Sequence, residues 1–151
     1  MKYLLSEKDM YDCIRDVESI LLNSAKEKFS RNSYKKLPNN SGIYMLFEDS
    51  KNIIYIGETG NLRERFKEIH RTVNHTFRRQ LGAIKFGAIK TRKKFDEDIE
   101  QKLDIFFNEN LYFSYVEVNF GRLEIETYLI DKYQDCIYNS KKKRKIIITT
   151  I

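Results

Sequence analysis

Two tyrosines, one arginine and one glutamate are the residues of this chain whose types and order could do chemistry together. Gly42-Ile43-Tyr44 is followed by Tyr55-Ile56-Gly57, with ten residues between the tyrosines; Arg65 stands eight residues past Gly57, and Glu126 lies near the far end. A phenol accepts a proton once neighbouring positive charge has lowered its affinity for it. A guanidinium braces the equatorial oxygens of a phosphoryl group as negative charge develops there. One carboxylate is enough to anchor a magnesium ion, which keeps several waters and takes further oxygens from a substrate phosphate. Such a set needs no nucleophilic side chain, because water attacks. Tyr44 and Tyr55 share the assignment as the base, Arg65 is the brace, and Glu126 is the metal ligand.

These residues must be delivered by secondary structure. Residues 42–47 and 53–57 are β-branched and aromatic, with turn chemistry in Glu48-Asp49-Ser50-Lys51-Asn52, which predicts a hairpin. The spacing allows a register that places Tyr44 opposite Tyr55, with both phenols on one face. Asn61-Leu62-Arg63-Glu64 has capping-box spacing and opens a helix through about Arg71. Its apolar stripe is Leu62, Phe66, Ile69 and Val73, bordered on one side by Arg65 and on the other by Arg63 and His70. Further helices are expected over residues 74–85 and 96–108, a strand over 111–118, and a last helix over 122–133. On that last helix Leu123, Ile125, Leu129, Ile130 and Tyr133 make an apolar arc, and Glu126 falls inside it. A carboxylate facing a core costs several kcal/mol unless it is paired, protonated or metal-bound, so this placement calls for a partner. Ahead of the hairpin, residues 6–29 have the three- and four-residue apolar spacing of an amphipathic helix, and residues 30–41, with the single proline Pro38, read as a loop.

The ordered set resembles the signature of the GIY-YIG nucleases, and the resemblance runs over residues 37–139. It implies an α/β (α+β) fold, a small three-stranded antiparallel sheet flanked by helices, here with an extra N-terminal helix. The division expected is a helix and loop over 1–40, the nuclease-like domain over 41–140 and a basic tail over 141–151. The resemblance also implies a metal-dependent DNA endonuclease that uses one Mg2+ (or Mn2+) per site and leaves 5′-phosphate and 3′-hydroxyl ends. Two departures stand out. Family members often carry a histidine or tyrosine four residues past the arginine, where this chain has Ile69, and His70 comes one residue later. Tyr138-Asn139 follows Glu126 one residue later than the commonest spacing and without the usual proline. Asn139 is expected to support or close the site, and Gly57 to allow a close backbone approach.

A chain of 151 residues with 41% hydrophobic and 33% charged residues suits one domain with its own core. The net charge of +6 suits a polyanionic partner. Basic residues interleave with aromatic ones from Asn74 to Lys94, so DNA backbone contacts are expected there and on the preceding helix, at Arg63, His70, Arg78, Arg79 and Lys93. Cys13 and Cys136 have no CxxC spacing, which argues against a disulfide framework or zinc site and for a reducing, cytoplasmic setting. The apolar run at the N-terminus is too short for a signal peptide, and no stretch approaches a membrane span. A homodimer or a specificity-giving partner protein is compatible with the size. The competing expectation is a nucleic-acid-binding module that keeps the fold without the chemistry.

Overall fold

A computed structural model of the protein describes residues 1–2, 4–73, 75–89 and 93–140. The chain order is α1 (Glu7–Asn23), β1 (Glu27–Lys28), a 3-10 turn (Ser33–Lys36), β2 (Gly42–Glu48), β3 (Asn52–Thr59), α2 (Leu62–Glu68), α3 (Thr76–Lys85), α4 (Glu97–Glu109), β4 (Leu111–Glu117) and α5 (Arg122–Tyr133). The sheet is antiparallel with order β1-β4-β2-β3, four strands rather than the three expected. The fourth comes from residues expected to be helical. α1 stops at Asn23, and Glu27–Lys28 pairs with Tyr112 and Phe113 of β4. That turn lets Phe29 leave the helix register and bury itself against Phe66 and Phe107, so tertiary packing overrides the local period.

Alternation along the strands divides the core in two. Ile43, Met45, Phe47 and Ile56 face α1 and α5, joined by Ile14, Leu21, Ile125, Leu129 and Ile130. Tyr44, Leu46, Tyr55 and Phe113 face α2, α3 and α4, with Leu62, Phe66, Phe77, Leu81, Leu103 and Phe107. The sheet is thus a middle layer between two helical layers. α1 is part of this core rather than an appendage. Its buried Glu18 receives hydrogen bonds from Lys132 Nζ and Tyr133 Oη of α5, and Ser114 of β4 donates to the Leu21 carbonyl.

Two apolar positions expected to be covered lie open: Val73, past the end of α2, and Leu123, in the first turn of α5, are both about half exposed. α2 ends at Glu68 instead of Arg71, so Val73 leaves the stripe. The basic tail 141–151, Asn74 and Lys90 to Arg92 lie outside the described residues. Among the described residues, no helix is long and apolar enough to cross a membrane.

Candidate active site

The hairpin register decides whether two tyrosines can form one site. Near the turn, Glu48 pairs with Asn52 and Phe47 with Ile53; beyond it Leu46 pairs with Tyr55 and Tyr44 with Gly57, so one extra residue, Ile54, enters β3 as a bulge. Continuing the first register would place Tyr44 opposite Ile56 and send Tyr55 to the other face of the sheet. The bulge restores Tyr55 to the face of Tyr44. The two phenols therefore lie diagonally rather than directly opposite, with ring centroids 6.3 Å apart and nearly stacked planes. Direct pairing was the expected register, and neither the register near the turn nor the one beyond the bulge gives it.

The residue that does face Tyr44 is Gly57. A Cβ on Gly57 would stand 2.3 Å from both Cζ and Oη of Tyr44. The phenol lies across the bare backbone, which is why glycine is required here, and the close approach is made by a tyrosine. Asn139 supports the same stretch from the sheet edge. Its Nδ2 donates to the Ile56 carbonyl and its Oδ1 accepts the Ile56 N–H, while the Tyr138 N–H bonds the Ile54 carbonyl. The C-terminal segment so pairs the open side of β3, one residue from Gly57.

Arg65 is carried by α2, whose N-cap Asn61 accepts the Glu64 N–H and whose Leu62 and Phe66 anchor in the core. Glu126 comes from α5, on the opposite layer. It is 6% exposed, and its Oε2 accepts the Glu58 N–H at 2.7 Å, at the end of β3. Arg122, one turn earlier, bonds the Glu58 carboxylate at 3.0 Å. These two ties fix the helix so that Glu126 wraps round the strand end into the neighbourhood of the phenols. Tyr44 and Tyr55 both feel Arg65 and Glu126 electrostatically, the first lowering and the second raising their proton affinity. Burial outweighs both. It holds Tyr44 well above the ordinary phenol value, and it pushes Tyr55 up to about 12 with help from Glu126. Arg65 lowers both phenols, as expected of a neighbouring positive charge, but by less than burial raises them.

His75, expected only as part of a DNA-contacting segment, lies inside the site. It is the N-cap of α3 and 2% exposed; its Nδ1 accepts the Phe77 N–H, its Nε2 is 3.2 Å from Tyr44 Oη, and its ring is 5.9 Å from that of Tyr55. Burial and the nearby Arg65 lower its pKa to about 3, so the ring is neutral. The sequence held one signal for this, a histidine directly before a helix whose first turn has no acidic residue. No spacing rule linked it to Tyr44.

The expected phosphate contacts divide. Arg78 is 3% exposed, its Nη2 reaches Glu100 at 2.7 Å and Asp104 at 2.9 Å, and its Nε donates to Thr72. The guanidinium ties α3 to α4. Arg63 donates to the carbonyls of Leu37 and Lys35, and Arg79 to those of Thr72 and Val73, so both brace loops. His70 is half-buried, with its pKa lowered chiefly by burial and next by Arg31. It joins Arg31, Arg71 and Lys94 along an open hollow that Arg78, Glu100 and Asp104 also line, and Lys93 lies exposed beside Lys94.

A divalent cation would find the Glu126 carboxylate and two phenolic oxygens here, with the Glu58 carboxylate, held by Arg122, near enough to act on Tyr44. Among the described residues, no three histidines, cysteines or acids gather as a ready cage. That donor set fits a hard, mostly hydrated cation completed by substrate oxygens and does not fit a structural zinc site.

Short segments of two curated proteins are similar to this chain. The UvrABC system protein C of Brucella suis biovar 1 (strain 1330) is 36% identical over 44 residues, and that of Helicobacter pylori (strain G27) 40% identical over 43. The matched segments are 29% and 28% of this chain and 7% of each relative, so the chain spans a small part of their length. Among solved structures, a point mutant of the GIY-YIG N-terminal endonuclease domain of UvrC from Thermotoga maritima, bound to its catalytic divalent cation, aligns with TM-score 0.43 at 20% identity. The alignment covers 73% of this chain and 93% of that one. A second point mutant of that domain aligns with TM-score 0.41 at 19% identity. The model of the GIY-YIG catalytic domain matches residues 14–150, and the chain belongs to this nuclease family.

Proposed function

We propose that the domain is a DNA endonuclease that hydrolyses phosphodiester bonds with one magnesium or manganese ion held at Glu126. The observation that supports the reading is the convergence of Tyr44, Tyr55, Arg65 and Glu126 at the end of β3, a set with a proton acceptor, a phosphate brace and a cation ligand but no nucleophile. When bound, the cation supplies Lewis acidity toward phosphate and leaving oxygen, and it offsets the Glu126 charge that helps to raise Tyr55.

Arg65 braces the equatorial phosphate oxygens as negative charge develops. Tyr55 is the preferred acceptor of the attacking water's proton. It is more exposed than Tyr44, 9% against 1%. Tyr44, seated on Gly57, orients water and phosphate by hydrogen bonding. Glu58 and Arg122 hold the carboxylate helix in register. DNA runs from this site along the hollow of Arg31, His70, Arg71 and Lys94, with Lys93 at its rim, and meets the protein through phosphates rather than base edges. Target choice comes from a partner protein or a second copy of the chain.

The test is incubation of end-labelled duplex and branched DNA with the purified protein and magnesium, followed by ligation and kinase analysis of the products. Ends bearing 5′-phosphate and 3′-hydroxyl are expected. Salt-sensitive binding of every substrate without cleavage would instead support the binding module of the same fold.

A further inference from the structure

Ile69, four residues past Arg65, is apolar and fully buried, so α2 delivers no second polar group to the phenols. The polar contact arrives from α3 instead. The Phe77 N–H points at His75 Nδ1 at 3.0 Å, and a nitrogen that accepts a hydrogen bond cannot carry the ring proton. In a neutral ring the proton is then on Nε2, the atom 3.2 Å from Tyr44 Oη.

We propose that His75 is a positioning residue for Tyr44: its fixed Nε2–H donates to the Tyr44 hydroxyl, which turns the tyrosine's own O–H away from α3 and toward the reacting phosphate or water. The low pKa of His75 agrees with this, since a charged imidazolium would donate at both nitrogens and lose the Phe77 contact. Tyr44 cannot turn to escape the bond. Its ring is 1% exposed, wedged over Gly57 and edge-on to Phe66. Helix capping and hydroxyl orientation thus use the two nitrogens of one ring.

This inference rests on the nuclease reading for its kinetic consequence but not for its geometry, and the experiment separates the two. The chain has two histidines, so long-range 1H–15N correlation of histidine-labelled protein gives two ring systems, and a His75→Asn variant identifies which is which. The expected result is a proton on Nε2 of His75 and a bare Nδ1; a proton on Nδ1 overturns the proposal whether or not the protein cuts DNA. For the kinetics, Asn keeps an oxygen near the place of Nδ1 and caps helices well, yet it is too short to reach Tyr44. Gln places an N–H near the position of Nε2. His75→Asn should lower kcat roughly 10- to 100-fold with KM changed less than about threefold, as for loss of an oriented donor. His75→Gln should recover most of kcat, both variants being checked for a native melting transition. A kcat for His75→Asn within about twofold of wild type, or no recovery in His75→Gln, would overturn the role. Should the wild type cut no DNA, the nuclease reading fails on that arm, and the tautomer still decides the hydrogen bond.

Discussion

Gly57 and His75 carry the sharpest residue-level consequences. Gly57→Ala sets a methyl 2.3 Å from a phenol that is packed on every side, so Tyr44 must move. A loss of stability of ~1–3 kcal/mol is expected from overpacking, and a cleavage rate at least ~100-fold lower from the misplaced hydroxyl. Chemical denaturation and DNA nicking measure the two effects separately; a variant that cuts normally would show that Tyr44 need not sit where it does. His75 gives a pH dependence. Its pKa is 6.5 ordinarily and about 3 in the fold, so between those values the unfolded chain binds a proton that the native ring refuses. Stability is complete above pH 6.5 and declines as pH falls toward 3, by up to ~5 kcal/mol from this group. Denaturant midpoints measured from pH 7 to 4 should fall steeply for wild type and less steeply for His75→Asn. The four candidate residues stood out in the sequence because their types and order are distinctive, and the structure brings them within electrostatic reach of one another. His75 was not, because its contact joins two elements that no local period connects.

Among the elements, the bulge at Ile54 and the pair of ties on α5 do the positioning. The hairpin, α2 and α5 could be read from alternation, capping and helical spacing, and α5 begins and ends where expected. The register could not be read, because adding or removing one bulged residue changes which face Tyr55 occupies while leaving the composition of the strand unchanged. β1 escaped for a related reason, since a two-residue strand has no period of its own and exists through its pairing with β4. The burial of Arg78 could not be read, because a basic residue in a basic segment looks solvated until Glu100 and Asp104, on another helix, are brought to it. Arg78→Ala would strand Glu100, whose side chain is 19% exposed, and should destabilise the fold by ~3 kcal/mol. The affinity of the folded protein for DNA should change less than about twofold, as read by fluorescence anisotropy alongside a denaturant melt. Weaker DNA binding with unchanged stability would restore Arg78 to the DNA face.

Across the whole molecule, two helical layers clamp one sheet, and the site forms where residues from both layers meet at the end of an edge strand. The net charge of +6 signalled a polyanionic partner without saying where it binds. Among the described residues, Arg31, His70, Arg71 and Lys94 lie along the hollow after α2, with Lys93 exposed beside Lys94. Arg71→Ala and Lys93→Ala should each reduce the slope of log affinity against log salt by about one, whereas titrations with unaltered slopes would place the DNA elsewhere. The claim on which all of this depends is that Glu126 and the groups around it form a cation-dependent phosphodiesterase site. Its most direct test is the nicking of supercoiled plasmid by wild type, Glu126→Gln and Arg65→Ala, each with magnesium and with chelator. Nicking by wild type with magnesium alone, abolished by chelator and lost in both variants, is the predicted result. Plasmid cut equally by wild type and Glu126→Gln, or cut in the presence of chelator, would contradict it.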